Sequence, residues 1–263
     1  MRIKHLLCIL VATLMTTSYA SAWNSFGHGA IAYVAEQHLT PKAKDMCRHY
    51  LGHTLPYYAS WMDHWRAVPP FVETNLWHGL RVTQDSKMEW SPKGNGKAMA
   101  QLDRIMKEMK NYKELPDSLV RQNLLILVHM VADMHCPVHI GFPRKFFPQF
   151  RFSLYNGDKP IKTHGFWDAS PAFTRKGWNY ERYAAEVDKI SRKQARAYCK
   201  GSLQSWGDDI VLRAKRAFSI LPANTDISTL TSEQRQQVLD YSDEMAMMAA
   251  HRLAYVLNTI FKK

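Results

Sequence analysis

Cysteine is scarce in this sequence, with four residues in a chain of 263. Cys8 lies in an N-terminal segment that we expect to be removed, so Cys47, Cys136 and Cys199 remain. Three thiols allow at most one intramolecular disulfide, which excludes a disulfide framework as the basis of the fold. Cys136 lies beside candidate metal ligands, but we interpret it as a buried free thiol.

Long apolar runs are also absent beyond the N-terminus, which excludes a membrane-spanning helix there. Residues 1–22 combine Arg2 and Lys4, an apolar run and small residues ending at Ala22, the pattern of a secretory signal peptide. Cleavage after Ala22 would leave a chain that begins at Trp23. We therefore expect a protein that is secreted or periplasmic, with one domain over 23–263, no stable membrane insertion and a monomeric state.

Acidic residues are outnumbered, since 23 Asp and Glu stand against 35 Lys and Arg. Without Arg2 and Lys4 of the signal segment, 33 basic residues face 23 acidic ones, an excess of +10. A basic surface attracts polyanions such as nucleic acid, and also anionic membrane surfaces. Charge alone favours an anionic partner without choosing between these two.

The stretch LLILVHMVADMHCPVH at residues 124–139 is the most informative part of the chain. Its apolar residues at helical spacing predict a helix buried among other helices, yet it carries His129 and Asp133. These two stand at i and i+4, on one helix face, where they can chelate one ion. A buried carboxylate needs a strong partner, either a metal cation or a hydrogen-bonded core histidine. On an ideal helix His135 points away from this face, and a proline ends the helix before His139.

Elsewhere the chain carries further groups that suit a metal. His28 lies five residues after Trp23, whose α-amine and carbonyl can chelate an ion once the signal is removed. Asp63 is either a ligand or a surface acid paired with Arg66. The remaining candidates are a histidine in an apolar context and a second His/Asp pair at i and i+4, namely His78, His164 and Asp168.

Helical periodicity dominates the rest of the chain and predicts an all-α class. Alternation before and after the tight-turn signal Asn156-Gly157 predicts one short β-hairpin over 151–163. Residues 87–96 are interpreted as a surface loop, and His251 as a hydrogen-bonded core residue. Helices are predicted at 30–38, 41–51, 97–112, a central helix after a cap at 116–118, 180–198, 203–221 and 232–261.

Five motifs occur in order along the chain: Trp23 with Gly27-His28, WxDxxR from Trp61, Trp77-His78, HxxxDxHxPxH from His129, and HxxWD from His164. Together they resemble the zinc-dependent single-strand nuclease family of the nuclease S-one and nuclease P-one type. Its superfamily also contains zinc-dependent phospholipase C. The resemblance covers nearly the whole chain after residue 22. It implies a single compact multi-helix domain around a buried trinuclear zinc site, with one short β-hairpin.

The resemblance implies three Zn²⁺ ions per chain, held by nitrogen and carboxylate ligands without thiolate, a donor set that suits zinc. The first ion would be held by Asp63, His78, His129 and Asp133. The second would be held by the amine and carbonyl of Trp23, His28 and Asp133, so that Asp133 bridges two ions. The third would be held by His139, His164 and Asp168.

The implied activity is an endonuclease that hydrolyses single-stranded DNA or RNA to products with a 5′-phosphate, with 3′-nucleotidase activity as a second function. Two ions that share a carboxylate lower the pKa of a bridging water, which provides a metal-bridged hydroxide. Arg66 would add a fixed positive charge as phosphorus becomes pentacoordinate. Asp63 and Arg66 are therefore the expected catalytic residues.

Two alternative functions stay open. A zinc phospholipase C resembles this pattern with a longer gap after its N-terminal tryptophan and with Glu as the last ligand, whereas this chain has Asp168. A non-catalytic exported zinc-binding protein is the second alternative, because the expected substrate-binding side departs from the family. Gly79 replaces an aromatic residue, and Arg81 replaces an acid or amide and should favour phosphate. A Gly-Gly-Asn sequence is missing at 148–150, and three rings could replace the lost stacking platform: Phe146, Phe147 and Phe150.

Overall fold

The computed structural model of the chain describes residues 23–143 and 153–262. The expected signal peptide at 1–22 and the replacement rings Phe146, Phe147 and Phe150 lie outside this part. Helices account for most of the described residues, which confirms the all-α class. The α-helices are α1 Ser25–Gln37, α2 Pro41–Leu51, α3 Trp61–Trp65, α4 Ala98–Glu108, α5 Asp117–Asp133, α6 Thr163–Asp168, α7 Tyr180–Val187, α8 Arg192–Tyr198, α9 Leu203–Ile220 and α10 Ser232–Ile260.

Helix α5 lies at the centre of the fold. Every residue from Asn123 to Asp133 is buried, because the helix is apolar on nearly all sides. Helices α1, α2, α3, α4 and α10 pack around it. Each fully buried leucine or valine on such a helix contributes about 1.5–3 kcal/mol relative to exposure. The predicted His/Asp pair is therefore carried by the best-buried part of the molecule.

Two helix starts differ from the prediction. Helix α1 begins at Ser25, five residues early, because the side chain of Asn24 accepts a hydrogen bond from the Gly27 amide at 2.9 Å. Helix α5 has no side-chain cap, so the predicted cap at 116–118 is wrong in that detail. Asp117 is instead the first helical residue and places a negative charge at the positive end of the helix dipole.

The single helix predicted over 180–198 is wrong. Asp188 ends α7 with a ψ of 63°, outside the helical range. Its carboxylate contacts His38 and His251, which lie on other parts of the fold. The side chain of Ser191 then caps α8. Contacts with residues distant in sequence therefore interrupt the helix that local periodicity predicts to be continuous.

The predicted β-hairpin is confirmed over its described residues. Strand β4, Ser153–Asn156, pairs antiparallel with β5, Lys159–Lys162. Gly157 in the turn has a φ of +60°, a conformation that glycine adopts at little cost. The second strand leads directly into α6, so the hairpin fixes where the histidine and aspartate of that helix lie.

A second, three-stranded sheet is not predicted by the sequence. Strand β1, Leu80–Val82, lies between β2, Met88–Glu89, and β3, Ile140–Gly141. Part of the predicted surface loop over 87–96 is thus a strand, and Met88 is buried. The parallel pairing of Leu80 with Ile140 brings together the two segments that follow His78 and His139.

The cysteines and the helix lengths agree with the sequence predictions. Cys47, Cys136 and Cys199 are free thiols, and Cys136 is fully buried. Within residues 23–143 and 153–262, no helix has the length and apolarity that crossing a bilayer requires.

Candidate metal centre

Asp133, the last residue of α5, is the point at which three imidazoles converge. Its carboxylate is fully buried. Oδ1 lies 3.1 Å from His28 Nε2, whereas Oδ2 lies 2.6 Å from His78 Nδ1 and 3.1 Å from His129 Nε2. The two oxygens face different histidines, which is the arrangement that lets one carboxylate serve two cations.

His129 is oriented by a hydrogen bond on the far side of its ring. Nδ1 lies 2.7 Å from the carbonyl oxygen of Ala59 and donates to it. Such a bond fixes the orientation of the ring and leaves Nε2 as the nitrogen that can bind a cation once it has lost its proton. Nε2 faces His78 Nδ1 at 3.3 Å and Oδ1 of Asp63, on α3, at 3.7 Å.

Helix α1 supplies His28, whose ring stacks on His129 with centroids 4.1 Å apart. Just before this helix, Trp23 is fully buried, and its indole N–H donates to the carbonyl of Ala132 at 2.9 Å. The residue expected to begin the mature chain is thus anchored next to Asp133.

A further group is formed by His139, His164 and Asp168. His139 Nε2 lies 3.2 Å from His164 Nε2, and His164 Nε2 lies 3.3 Å from Asp168 Oδ2. His139 Nδ1 is also 3.8 Å from Asp133 Oδ2, so this group adjoins the first. The Cys136 thiol donates to Asp168 Oδ1 at 3.4 Å and acts as a neighbour of the group.

Several buried polar atoms of this cluster have no hydrogen-bond partner among the described residues. They include both ring nitrogens of His28, Nε2 of His78 and Oδ1 of Asp133. His28 and Asp133 are close, but their approach is not aligned for a hydrogen bond. Each unsatisfied buried group costs about 1–3 kcal/mol, which a bound cation would remove.

The donor set fits a metal centre. Eight of the nine predicted ligand residues fall into three groups, and in each group one ligand atom per residue lies within 4.8 Å of the others. The ninth is Trp23, whose predicted ligand atoms belong to the backbone and not to a side chain of these groups. Imidazole nitrogen and carboxylate oxygen without thiolate suit zinc among the common metals. The groups are His28, His129 and Asp133; Asp63, His78 and His129; and His139, His164 and Asp168.

Burial and mutual charge shift the pKa values of these side chains. Burial raises the pKa of Asp168 to about 9, and the charge of Asp133 adds to the effect. Burial lowers the pKa of His28 and lowers that of His139 to about 4. Burial opposes ionisation of Asp133, but His129 and the other imidazoles hold its pKa well below the ordinary value. Asp133 is therefore charged and His28 neutral near neutral pH, the forms that bind cations.

An open cleft with a volume of about 1390 Å³ ends on this cluster. His78, His139 and His164 line it, together with Arg66. Arg66 is mostly buried, and its Nη1 lies 3.4 Å from Asp63 Oδ1. Asp63 therefore lies close to both Arg66 and the histidines. The sequence left open whether Asp63 is a metal ligand or the partner of Arg66, and its position allows both roles. A guanidinium held in this way can bind a phosphate oxygen beside the metal ligands.

Gly79 and Arg81 also line the cleft. A Cβ added at Gly79 would lie 2.1 Å from the carbonyl oxygen of His139, so the backbone leaves no room for a side chain. Arg81 is half exposed; its Nη1 donates to the carbonyl of Lys93 at 2.8 Å, and its Nε lies 3.8 Å from Glu89 Oε2. Its guanidinium is thus partly engaged by neighbouring residues.

Two cleft residues carry no signal in the sequence. Asn75 donates to the carbonyl of Arg66 at 2.8 Å, and Phe142 follows β3. Asn75 lies in a 3₁₀ helix over Phe71–Trp77 and Phe142 follows a strand of two residues, so no local pattern marks either side chain. His135 lies outside the ligand groups, as predicted: its Nδ1 bonds to a backbone carbonyl, and its Nε2 accepts from Arg252 at 3.0 Å.

Comparison with known proteins gives two concordant results. The model of the S1/P1 nuclease family matches residues 23–262. The chain is also similar to Nuclease S1 of Aspergillus oryzae (strain ATCC 42149 / RIB 40), with 21% identity over 282 residues that cover 97% of this chain and 98% of that protein. The chain belongs to the S1/P1 nuclease family, and its chemistry is therefore the hydrolysis of phosphoester bonds in nucleic acid.

Proposed function

We propose that the protein is a zinc-dependent endonuclease that cleaves single-stranded DNA or RNA and leaves a 5′-phosphate on its products. The main support is the convergence of three His/Asp groups at the end of an open cleft that Arg66 and Arg81 line. Removal of a 3′-phosphate from nucleotides is a second proposed activity, because a terminal phosphate can enter the same cleft. We also propose that residues 1–22 are removed on export and that 23–263 form one monomeric domain.

Three Zn²⁺ ions would be held by the ligands that the sequence predicts. Asp133 would be shared, since its two oxygens face different histidines. Bound zinc supplies an acidified water and Lewis-acid stabilisation of phosphoryl oxygens. The ligands of the ions would be Asp63, His78, His129 and Asp133; the amine and carbonyl of Trp23 with His28 and Asp133; and His139, His164 and Asp168.

The protein's own contribution is to bind and orient the phosphate. Arg66 donates to a non-bridging phosphoryl oxygen, and its charge offsets the negative charge that grows as phosphorus becomes pentacoordinate. Asp63 holds the guanidinium from behind at 3.4 Å. Water adds to phosphorus while the bond between phosphorus and the 3′-oxygen breaks, and the leaving oxygen takes up a proton to become a 3′-hydroxyl. The phosphate therefore stays on the 5′-oxygen of the downstream product.

Base recognition is expected to be weak. Gly79 offers no ring, whereas a stacked base on an aromatic platform contributes roughly 1–3 kcal/mol. Arg81 contacts phosphate more readily than a base edge. Contacts to phosphate carry no sequence information. We therefore propose hydrolysis of polymers with little base preference and poor activity on 3′-mononucleotides.

The phospholipase alternative is disfavoured by the family match over 23–262 and by the short spacing from Trp23 to His28. The non-catalytic alternative is based on the altered substrate-binding residues Gly79 and Arg81, whereas the open cleft that they line still ends on the ligand groups. Both alternatives remain outcomes of the following experiment.

The test combines metal analysis with hydrolysis assays on the chain that begins at Trp23. We expect zinc in the purified protein, cleavage of circular single-stranded DNA, 5′-phosphate ends, and loss of activity with a chelator that added zinc restores. Hydrolysis of a phosphatidylcholine emulsion without DNA cleavage would support the phospholipase. Zinc-loaded protein that hydrolyses none of these substrates would support the non-catalytic alternative.

A further inference from the structure

A second group of histidine and carboxylate side chains lies outside the cleft. His38 follows α1, Asp188 follows α7, and His251 lies within α10. His38 Nε2 is 2.6 Å from Asp188 Oδ2, and His251 Nε2 is 3.1 Å from Asp188 Oδ1. His28 and His38 are separated along α1 by about 15 Å at a rise of about 1.5 Å per residue. The two groups are therefore too far apart to share an ion.

We propose that His38, Asp188 and His251 form a separate binding site for a Zn²⁺ ion. One ligand atom from each residue lies within 4.8 Å of the others. Tetrahedral zinc with bonds of about 2.0–2.2 Å places its ligand atoms about 3.3 Å apart, so side-chain shifts of about 1 Å complete the site. Two imidazole nitrogens and one carboxylate oxygen form a ligand set that zinc accepts, with water in the fourth position.

Solvent reaches this group from one side. The side chain of His38 is 39% exposed, that of Asp188 15% and that of His251 8%. The exposed edge beside His38 gives the ion an entry path and leaves space for a water ligand. The deeper side is closed by His251, which limits the exchange of the bound ion.

The backbones of all three ligands are already held in place. The carbonyl of His38 accepts from the side chain of Asn258 at 3.0 Å. The carbonyl of His251 accepts from the Cys199 thiol at 3.4 Å. The amide of Asp188 donates to the last turn of α7. Because the ligands are pre-positioned by three helices, little ordering is required when an ion binds.

Two imidazoles that donate to one carboxylate would form a structural clamp without any ion, and this is the competing interpretation. The geometry points to the ion because both imidazoles meet at the same carboxylate, so that one ligand atom from each of the three side chains lies within 4.8 Å of the other two. The rings of His38 and His251 are tilted by 42° at a centroid distance of 4.2 Å.

An ion at this position would connect the end of α1, the junction between α7 and α8, and α10. Helix α1 carries His28 at its other end, and α10 packs along it. Zinc at His38 would therefore stabilise the scaffold of the catalytic centre without contacting substrate. It would also explain why the chain leaves the helical conformation at Asp188.

The first test compares zinc content after gel filtration in wild type, His38→Gln and the control His53→Gln. Glutamine can still donate to Asp188 but is a poor zinc ligand. His53 is an exposed histidine stacked on Tyr57 and belongs to none of these groups. We expect wild type and His53→Gln to hold one zinc more per chain than His38→Gln, with DNA hydrolysis unchanged. Equal zinc in all three proteins, with or without a lower unfolding temperature of His38→Gln, would establish the clamp and overturn the proposal.

The second test needs no variant and therefore does not depend on the folding of His38→Gln. Diethyl pyrocarbonate modifies exposed neutral imidazoles, and mass spectrometry reports each modified position. We expect zinc to slow the modification of His38 at least several-fold while His53 reacts at an unchanged rate. Equal rates at His38 with and without zinc would overturn the proposal. Neither test depends on how many ions the cleft binds.

Discussion

Asp133 is the buried negative charge around which the candidate metal ligands are arranged. Its fully buried carboxylate lies within 3.1 Å of the rings of His28, His78 and His129. Without it, each proposed cation would lose an anionic ligand and would face the charge of the other. We expect Asp133→Ala to lose up to two zinc ions and more than about 100-fold in activity, since even outer partners of metal ligands contribute 10–100-fold. Zinc analysis and single-stranded DNA hydrolysis measure both effects.

His135 provides the matched control, since it is equally buried two residues away but faces Arg252. His135→Ala leaves buried hydrogen-bonding groups unpaired, at a cost of about 1–3 kcal/mol in the free energy of unfolding. Its zinc content should nevertheless equal that of wild type. Full zinc content in the Asp133 variant would show that the central helix does not supply the shared ligand.

Arg66 is expected to act on the transition state without holding metal. Removing a preorganised donor to a developing oxyanion costs about 10²–10³ in kcat. Arg66→Ala should lose about this factor in kcat while its zinc content stays constant, and the exposed Arg196→Ala on α8 should retain full activity. If kcat were unchanged and only KM rose, Arg66 would bind the ground state and transition state equally.

At the scale of elements, the junction between Trp77 and β1 controls the distance between two ligands. Gly79 lies against the backbone of His139, with room for no Cβ. We expect Gly79→Ala to separate His78 from His139 and to reduce activity about 100-fold, the effect of a misplacement of about 1 Å. Gly165→Ala on α6 is the control, because no described heavy atom lies within 4 Å of the added Cβ. Wild-type kinetics in Gly79→Ala would mean that the β1–β3 junction is not rigid.

The elements that sequence could predict are those whose signal is local. The long helices follow from apolar periodicity, and the hairpin from Asn156-Gly157, because both patterns repeat within a few residues. Strands β1, β2 and β3 have two or three residues each, too few to show a period, and β1–β3 pairing joins residues 60 positions apart. The break at Asp188 likewise depends on His38 and His251, so a local pattern predicts an unbroken helix.

The candidate ligands were predictable for a different reason. Imidazoles and carboxylates at i and i+4 in an apolar helix are conspicuous, because burial of charge requires a partner. Their grouping into three sets was implied by resemblance and depends on loops that no spacing defines. Asn75 and Phe142 could not be predicted, since only the tertiary fold brings them to the cleft.

At the scale of the whole molecule, we expect zinc binding to be coupled to proton release. In the metal-free protein burial raises the pKa of Asp168 to about 9. Burial opposes protonation of His129, but Asp133 outweighs it and raises the His129 pKa to about 9. Both side chains therefore hold protons at neutral pH and must lose them to bind zinc. We expect proton release on zinc addition at neutral pH, and zinc binding that weakens as the pH falls through about 9 and below. A pH indicator in weak buffer measures the release, and its absence would contradict the assigned ligands.

The last prediction joins export to metal assembly through Trp23. This residue is fully buried, its indole is fixed to the carbonyl of Ala132, and the next amide, that of Asn24, donates to the carbonyl of Asp168 at 2.7 Å. A chain cleaved before Trp23 would begin with a free α-amine on this anchored residue, whereas an uncleaved chain has a peptide nitrogen at that position, which is not a metal donor at neutral pH. We expect a protein with one extra residue before Trp23 to bind about one zinc fewer and to lose activity while it remains folded. Comparison of zinc content, circular dichroism and DNA hydrolysis between the two forms measures this, with one extra residue after Lys263 as the control. Equal zinc content and activity in the extended and cleaved forms would remove the α-amine from the ligand set.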